Sequence, residues 1–539
     1  MPHVVTQACC GDASCVYACP VNCIHPTPEE PDFGIAEMLY IDPATCVDCG
    51  ACVSACPVGA IVPGHRLPDG QERFAEVNAL QYRDTVDGAA RFPVDPARRL
   101  PLAPIDRPRQ LAVERRVSIG IVGSGPSAMY AADELLRHPQ VSVTMYERLD
   151  RPFGLARFGV APDHLHTRKV MRLFDDIARN PNLEILLDTE VGRDITLDDL
   201  RARHSGVIWA VGAPTDKTLD LPGIEQAGVT SATSFVGWYN GHPDFTDLDV
   251  DLSTDRVVVI GNGNVALDVA RILVADPAAL ADTPISPGAL AALRRSSVRE
   301  VVVLGRRGPV HAAFTLPELI GLVDSGVAVT VDPADLESPP VDGELDATTR
   351  AKLDILAECA AAGEPEGRRI RLAFFGSPLE VRGQDGRANG VVVGRNRVIV
   401  DDAGATVIEP TGESVTLEAG LVLTSVGYRG VPVPGLPFDE AKGVIPHRAG
   451  RVFDGDEQVP GTYVTGWIKR GPSGFIGTNK TDSAETVSSL LADLEEDALS
   501  DRLIDHGGPR TSAPPCAPIC PLFRLTSRRR CVTMPSRGS

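Results

Sequence analysis

A chain of 539 residues, 43% hydrophobic and 23% charged, is long enough for about three domains and apolar enough to give each a core. Its net charge of −20 argues against a nucleic-acid-binding surface. The start, MPHVVTQACC, has no basic stretch leading into an apolar one, and the uncharged stretches further on are broken by Gly, Pro and polar residues. Neither a secretory signal nor a membrane span is expected, and the chain reads as cytoplasmic.

Nine of the thirteen cysteines lie between Cys9 and Cys56, a clustering that favours metal ligation over disulfides in a large chain of this kind. The segment CVDCGACVSACP (46–57) has the spacing C-x2-C-x2-C-x3-C-P, in which a short turn aims three thiolates at one iron–sulfur cluster and the fourth cysteine serves a second one. Upstream, Cys15-x3-Cys19-Pro20 repeats the second half of that pattern, but no cysteine stands at Asp12 or Ala13, so one ligand is missing. The expectation is a [3Fe-4S] cluster on Cys9, Cys15 and Cys56 and a [4Fe-4S] cluster on Cys19, Cys46, Cys49 and Cys52. Cys10 and Cys23 are expected to be non-ligands, with Cys10 a competitor of Cys9. Zinc ribbons, the alternative, separate their cysteine pairs by long spacers, whereas here three cysteines crowd into seven residues. The first 60 residues hold seven carboxylates and no Lys or Arg, which suits an acidic electron-transfer face or plain solvated surface. The stretch resembles seven-iron bacterial ferredoxins, with a shorter spacer between Cys9 and Cys15.

Residues 63–114, rich in Pro, Arg and Asp, read as a loop-rich linker. At Arg116 an apolar strand, a Gly-rich turn and an Ala-rich helix follow one another, and VSVTMYE reads as the next strand. Gly123, Gly125 and Ala128 fit G-x-G-x-x-A: the first allows the tight turn, the second lets a pyrophosphate approach the backbone, and the third lets helix and strand pack closely. Glu147, 22 residues past Gly125, ends the second strand where a carboxylate binds ribose hydroxyls. The same grammar returns near residue 256 with Gly261, Gly263 and Ala266, but its second strand ends in Gly305-Arg306-Arg307. Two guanidiniums grip a 2′-phosphate that a carboxylate would repel, so this site is expected to take NADPH. Two such sites describe a flavin enzyme reduced by a nicotinamide. A disulfide-reductase version is excluded, because Cys359 is the lone cysteine between Cys56 and Cys516. Valine-rich segments and a strand near Val422 follow, then a strand, a long turn and a helix ending near Leu494. The arginine-rich residues after Gly507 read as a disordered tail.

The segments PFGLARFGVAPDH (152–164), GNGNVALDVAR (261–271), GRRGPVHAAFTLPEL (305–319) and GWIKRGPSGFIGT (466–478) resemble adrenodoxin-reductase-type ferredoxin–NADP⁺ reductases over roughly residues 115–495. With the cysteine module, the chain resembles the subclass that fuses a seven-iron ferredoxin to the reductase. The resemblance implies an α+β ferredoxin module followed by an α/β flavoprotein reductase with two Rossmann-like dinucleotide-binding domains. The expected division is a ferredoxin domain (1–62), the linker, an FAD-binding domain (115–250 and 421–495), an NADPH-binding domain (251–420) and a tail (496–539).

The resemblance further implies FAD contacts at Glu147, Leu155, Val191, Trp467, Gly474, Phe475 and Ile476. It implies NADP contacts at Asn262, Gly263, Asn264, Val265, Arg306, Arg307, Glu318 and again Gly474. Lys217 stands where relatives often carry Arg. His164 and Asp268 fall where relatives pair them beside the flavin, a place from which an imidazole tunes the flavin or relays a proton; local capping is the equal alternative. Gly321 replaces an acid that many relatives have, which removes any proton-relay role for that position. The relatives' ordered last segment has no match after residue 507. The implied activity is transfer from NADPH through FAD to clusters of the fused ferredoxin, of a separate ferredoxin, or of another one-electron acceptor, cytochrome P-450 systems among them. The rival reading is an electron-input subunit like the small subunit of glutamate synthase.

Overall fold

The computed structural model describes residues 2–83, 85–86, 89–90, 111–113, 115–337, 345–363, 365–400 and 406–496; the expected tail lies almost wholly outside these. The first module is two similar halves. Strand β1 (His3–Val5), helix α1 (Ser14–Ala18), β2 (Ile24–His25), β3 (Tyr40–Ile41), α2 (Ala51–Ala55) and β4 (Ile61–Pro63) follow in order. β1 pairs antiparallel with β4 and β2 with β3. Each short helix is entered through a left-handed residue, Ala13 or Gly50, and ends on a Cys-Pro step, Cys19 or Cys56. One backbone recipe thus presents the cysteines twice.

The stretch expected to be linker does not begin as one. Pro63 closes β4, and Arg73–Arg83 forms helix α3, which packs on β1 and β3. Its buried face is Phe74, Val77, Asn78 and Gln81, at helical spacing. Asn78 accepts from the Val5 and Ile41 amides and donates to the Val5 carbonyl, stitching two strands to the helix. Counting Ala79, two of the helix's five buried residues are amides, so the apolar periodicity that announces a helix is weak here. Residues 91–110 lie outside the described residues.

The reductase part holds two parallel-sheet units. β5 (Val117–Val122), α4 (Pro126–Leu135), β6 (Val141–Tyr146), β7 (Leu183–Leu186) and β8 (Gly206–Trp209) build the first. β5 is buried at all six positions, as a parallel strand covered on both faces must be. The second unit runs β9 (Val229–Ser231), β10 (Arg256–Ile260), α5 (Asn264–Val274), β11 (Glu300–Leu304), α6 (Leu316–Asp324), β12 (Ala328–Val331), α7 (Ala347–Ala361) and β13 (Arg369–Ala373). A three-stranded antiparallel sheet, β14 (Gly376–Gln384), β15 (Arg387–Val400) and β16 (Thr406–Glu418), absorbs the valine-rich segments. β17 (Leu421–Thr424) returns to the second sheet, whose order is β9-β17-β10-β11-β13-β12. Then β18 (His447–Arg448), β19 (Arg451–Asp454), β20 (Glu457–Val464) and helix α8 (Asn479–Glu495) complete the first unit. Its sheet has the order β18-β19-β20-β8-β5-β6-β7.

The chain crosses between the units where Thr215–Asp216 pairs with Tyr428–Arg429. The observed boundaries therefore fall near residues 216 and 428 rather than 250 and 420. β9 escapes notice in the sequence because it is three residues long and half-exposed. The cysteine module is continuous with both units. Its residues Val4, Phe74 and Val77 share a core with Leu316, Ile320 and Leu356, while Cys10, Val58 and Ala60 pack with the core of the first sheet. Among the described residues no helix is long and apolar enough to cross a membrane.

Candidate dinucleotide and iron–sulfur sites

Both Gly-rich turns have the geometry the spacing implies. Gly123 has φ +99° and Gly261 φ +116°, conformations that favour glycine. A Cβ at Gly123 would lie 2.6 Å from the Ala210 carbonyl oxygen, and one at Gly261 2.1 Å from that of Ser425. The second glycines differ in kind. A Cβ at Gly125 or Gly263 meets nothing within 4 Å, so each turn is open where a pyrophosphate would lie against the start of α4 or α5. Ala128 and Ala266 are fully buried beneath. Two cradles of the right shape are present.

The residues expected at their ribose ends differ in surroundings. The Glu147 carboxylate is buried, accepting from the Ser124 amide at 3.0 Å, the Ser124 hydroxyl at 2.6 Å and the Leu149 amide at 3.0 Å. Arg306 and Arg307 are exposed at the end of β11, and among the described residues neither guanidinium is in an ion pair. The Asn262 side chain lies across Gly305, where a Cβ would come within 2.6 Å of its Nδ2. This joins the second Gly-rich turn to the arginine pair. Lys217 is exposed beside the crossing strands, its amide donating to the Gly427 carbonyl.

The expected flavin residues gather around the first turn. The Phe153 amide donates to the Ser124 carbonyl, which brings Leu155 alongside, more than a third exposed. Val191 is half-buried and bridges to Ile195. Trp467 stacks near Tyr428, and its indole donates to the Ser473 carbonyl, closing the turn that carries Gly474, Phe475 and Ile476. Gly474 has φ +78°.

His164 and Asp268 do come together, 3.7 Å apart, but a third residue organises them. Arg271, on α5 with Asp268, contacts Asp268 and Asp163 at 2.5 Å each and His164 Nε2 at 2.8 Å. The guanidinium thus ties the histidine to both carboxylates. Glu318 Oε2 lies 4.0 Å from His164 Nε2. Burial and the Asp268 carboxylate push the Glu318 carboxyl above its ordinary range, opposed by His164 and Arg271. His164, Asp268 and Glu318 converge closely enough to hold a cation, and Arg271 already supplies one.

Seven of the nine clustered cysteines lie in two groups. One small cavity is lined by Cys19, Cys46, Cys49 and Cys52, with Cys23 beside them. The Cys23 thiol lies 3.5 Å from that of Cys19. Hydrogen bonding to Cys23 lowers Cys46 to about 5 and Cys19 to about 6, against the effect of burial. Cys9, Cys15 and Cys56 interact with one another and with Asp12. Burial raises Cys9 to about 12 and raises Cys15 and Cys56 as well. Buried thiols with no cation among them are a donor set suited to metal, whose charge would hold them ionised. Cys10 is buried in the core of the first sheet.

Sequence reasoning missed the joint between modules. The Gly477 amide donates to the Cys10 carbonyl at 2.7 Å, and a Cβ at Gly477 would strike the Asp12 amide nitrogen at 2.2 Å. Lys480 donates to the Ser14 hydroxyl at 2.9 Å and sits 3.8 Å from Asp12. On the other side Glu37 accepts from Lys352 Nζ and from the Leu316 amide, both at 2.7 Å. The reductase thus supplies cations to a module that has none in its first 60 residues. The missing signal was the absence of Lys and Arg itself.

A family model described as "4Fe-4S dicluster domain" matches residues 8–60, a second of the same description matches 38–91, and one described as "NAD(P)-binding Rossmann-like domain" matches 121–189. The chain is 52% identical over 510 residues to a probable ferredoxin/ferredoxin–NADP reductase of Mycobacterium tuberculosis, covering 93% of this chain and 85% of that protein. It is 45% identical to the NADPH-ferredoxin reductase FprA of Mycobacterium leprae, over 70% of this chain and 84% of the relative. The structure of Mycobacterium tuberculosis FprA in complex with NADPH is similar with a TM-score of 0.68 and 43% identity, covering 72% of this chain and 87% of that one. The chain belongs to the ferredoxin–NADP reductase family, in the branch that carries its own ferredoxin module.

Proposed function

We propose that the chain draws hydride from NADPH into FAD and delivers single electrons outward through the cysteine module. When bound, FAD accepts hydride and releases electrons singly, and the clusters store one electron at a time. Arg306 and Arg307 would hold the 2′-phosphate, with Asn262 to Val265 cradling the pyrophosphate and Glu318 near the nicotinamide end. Glu147 would hold the flavin's ribose, with Leu155, Val191, Trp467 and the Gly474–Ile476 turn around its ring. The Arg271 network fixes the His164 ring and the Asp268 carboxylate in place; their role is to set the charge beside the flavin. The count of three thiols at the first cysteine group supports a [3Fe-4S] cluster there, and four thiols at the second support a [4Fe-4S] cluster.

The observation that carries this reading is the bond between Gly477 and the Cys10 carbonyl, which seats the Cys9/Cys15/Cys56 group on the flavin turn. Cys49 of the second group is exposed, as are Val47 and Val53 beside it, and this face is the proposed outlet. Its acceptor is a separate ferredoxin or another one-electron carrier, such as a cytochrome P-450 system. Clustered thiol ligands suit the reducing cytoplasm. The test is anaerobic absorbance and EPR of holoprotein before and after stoichiometric NADPH, with NADH as control. Flavin bleaching by NADPH in preference to NADH, with a three-iron signal as isolated, is expected. A flavin inert to NADPH overturns the reading, and a first cluster lacking the three-iron signal overturns its stoichiometry.

A further inference from the structure

Gly321 lies in the middle of α6, with no left-handed φ to require a glycine, and glycine inside a helix weakens it. Its reason is on the other module. A Cβ at Gly321 would fall 2.1 Å from Nε2 of Gln7 and 2.4 Å from both Cδ and Oε1. The Gln7 side chain therefore fills the place a side chain on α6 would take, and its Nε2 donates to Glu318 Oε2 at 3.2 Å. Gln7 is two residues before Cys9. One side chain thus runs from the first cysteine group into the acid network of the reductase.

The same helix is held at its start from both sides. Glu37 of the ferredoxin module accepts from the Leu316 amide, one of the donors a helix start leaves without an internal partner. Asn264, in the second Gly-rich turn, accepts from the Thr315 amide at 2.8 Å. Glu318 is in the first turn of that helix, so its position is set jointly by the dinucleotide turn and by the ferredoxin module. A neutral amide donor suits this task. It satisfies Oε2, the carboxylate oxygen that lies 4.0 Å from His164, without adding a charge to the His164–Asp268–Arg271 set.

We propose that Gln7 of the ferredoxin module is a positioning residue for the NADPH site, orienting the Glu318 carboxylate through the gap left by Gly321. The inference rests on the assignment of Glu318 to that site. The fused module then completes the reductase's nucleotide site as well as receiving its electrons.

The test measures the NADP⁺ dissociation constant by calorimetry, together with KM and kcat for NADPH with ferricyanide as acceptor. It uses full-length holoprotein whose flavin and iron contents match the unsubstituted chain. Gln7→Ala, and Gln7→Met as the variant of similar length without a donor, are expected to raise the dissociation constant and KM about tenfold, the worth of a hydrogen bond to a charged group. kcat stays within about twofold on the same argument, because Gln7 does not touch the reacting atoms. Gly321→Ala expels Gln7 and is expected to give the same rise, and adding it to Gln7→Ala to give little more. Unchanged NADP⁺ affinity in Gln7→Met, or additive effects of the two substitutions, overturns the proposal. Glu318→Gln separates the failures. If it leaves affinity unchanged, the site assignment falls and this inference with it; if it weakens affinity while Gln7→Met does not, the inference alone falls.

Discussion

Among the described residues Arg306 and Arg307 face solvent with no carboxylate engaged, so their charge is available to a phosphate dianion. Losing one guanidinium contact to a charged group costs about 1.5–3 kcal/mol. The expected outcome of Arg306→Ala with Arg307→Ala is a rise of roughly tenfold or more in KM for NADPH and little change for NADH. Steady-state comparison of the two nucleotides checks this, and an unchanged preference would remove the arginines from the site. These residues and Glu147 were legible because each sits at a fixed offset from its own glycines within one strand–turn–helix–strand unit. Arg271 was not. Its partners Asp163 and His164 lie more than a hundred residues away, and nothing local marks an arginine on a buried helix face as the centre of a network.

At the scale of elements, β5 shows how a strand makes room for a buried titratable group. Gly120 sits in its middle, and a Cβ there would meet His204 Cδ2 at 2.7 Å. The ring is held by Ser118 at Nδ1 and Tyr146 at Nε2, each at 2.8 Å, and burial lowers its pKa to about 4. The folded-state value is below the unfolded one, so the unfolded chain binds the proton more readily between these values. Stability of this origin is intact above pH about 6.5 and is lost as pH falls toward 4, by about 3 kcal/mol at the limit. The expected outcome is that His204→Gln flattens the pH dependence of the melting temperature over that window, measured on holoprotein; an unaltered slope would show the ring is not the titrating group. The strands β10 and β11 were legible as valine runs, and β5 and β6 as largely apolar stretches on either side of a Gly-rich turn and helix. Helix α3 was not, since Asn78 and Gln81 stand on its buried face and bond to the backbone of neighbouring strands and to Thr348. A polar side chain in a core reads as surface until its partners are known.

For the whole molecule, the question is how a ferredoxin is kept on its reductase. The cysteine spacings and the two glycine-turn units disclosed what each module is, but not which face meets which. That depends on pairs such as Lys480 with Ser14, 466 residues apart. The joint is acidic on one side and basic on the other, and at its centre backbone meets backbone. Gly477 permits this closeness, because any side chain there would overlap Asp12 and the Cys10 carbonyl. Overpacking by one methyl in such a place costs about 1–3 kcal/mol, and the contact most able to relieve it is the docking of the cluster loop itself. Gly477→Ala is therefore expected to keep flavin and iron, to keep ferricyanide reduction by NADPH, and to slow reduction of the clusters. Rapid mixing with NADPH, following flavin and cluster absorbance separately, checks the order of events. If cluster reduction keeps its rate while the methyl is tolerated, electrons enter the cysteine module by another face, and the Cys9/Cys15/Cys56 group loses its place as first receiver. If cluster reduction slows while flavin reduction does not, the turn that holds the flavin is also the junction through which the module is fed.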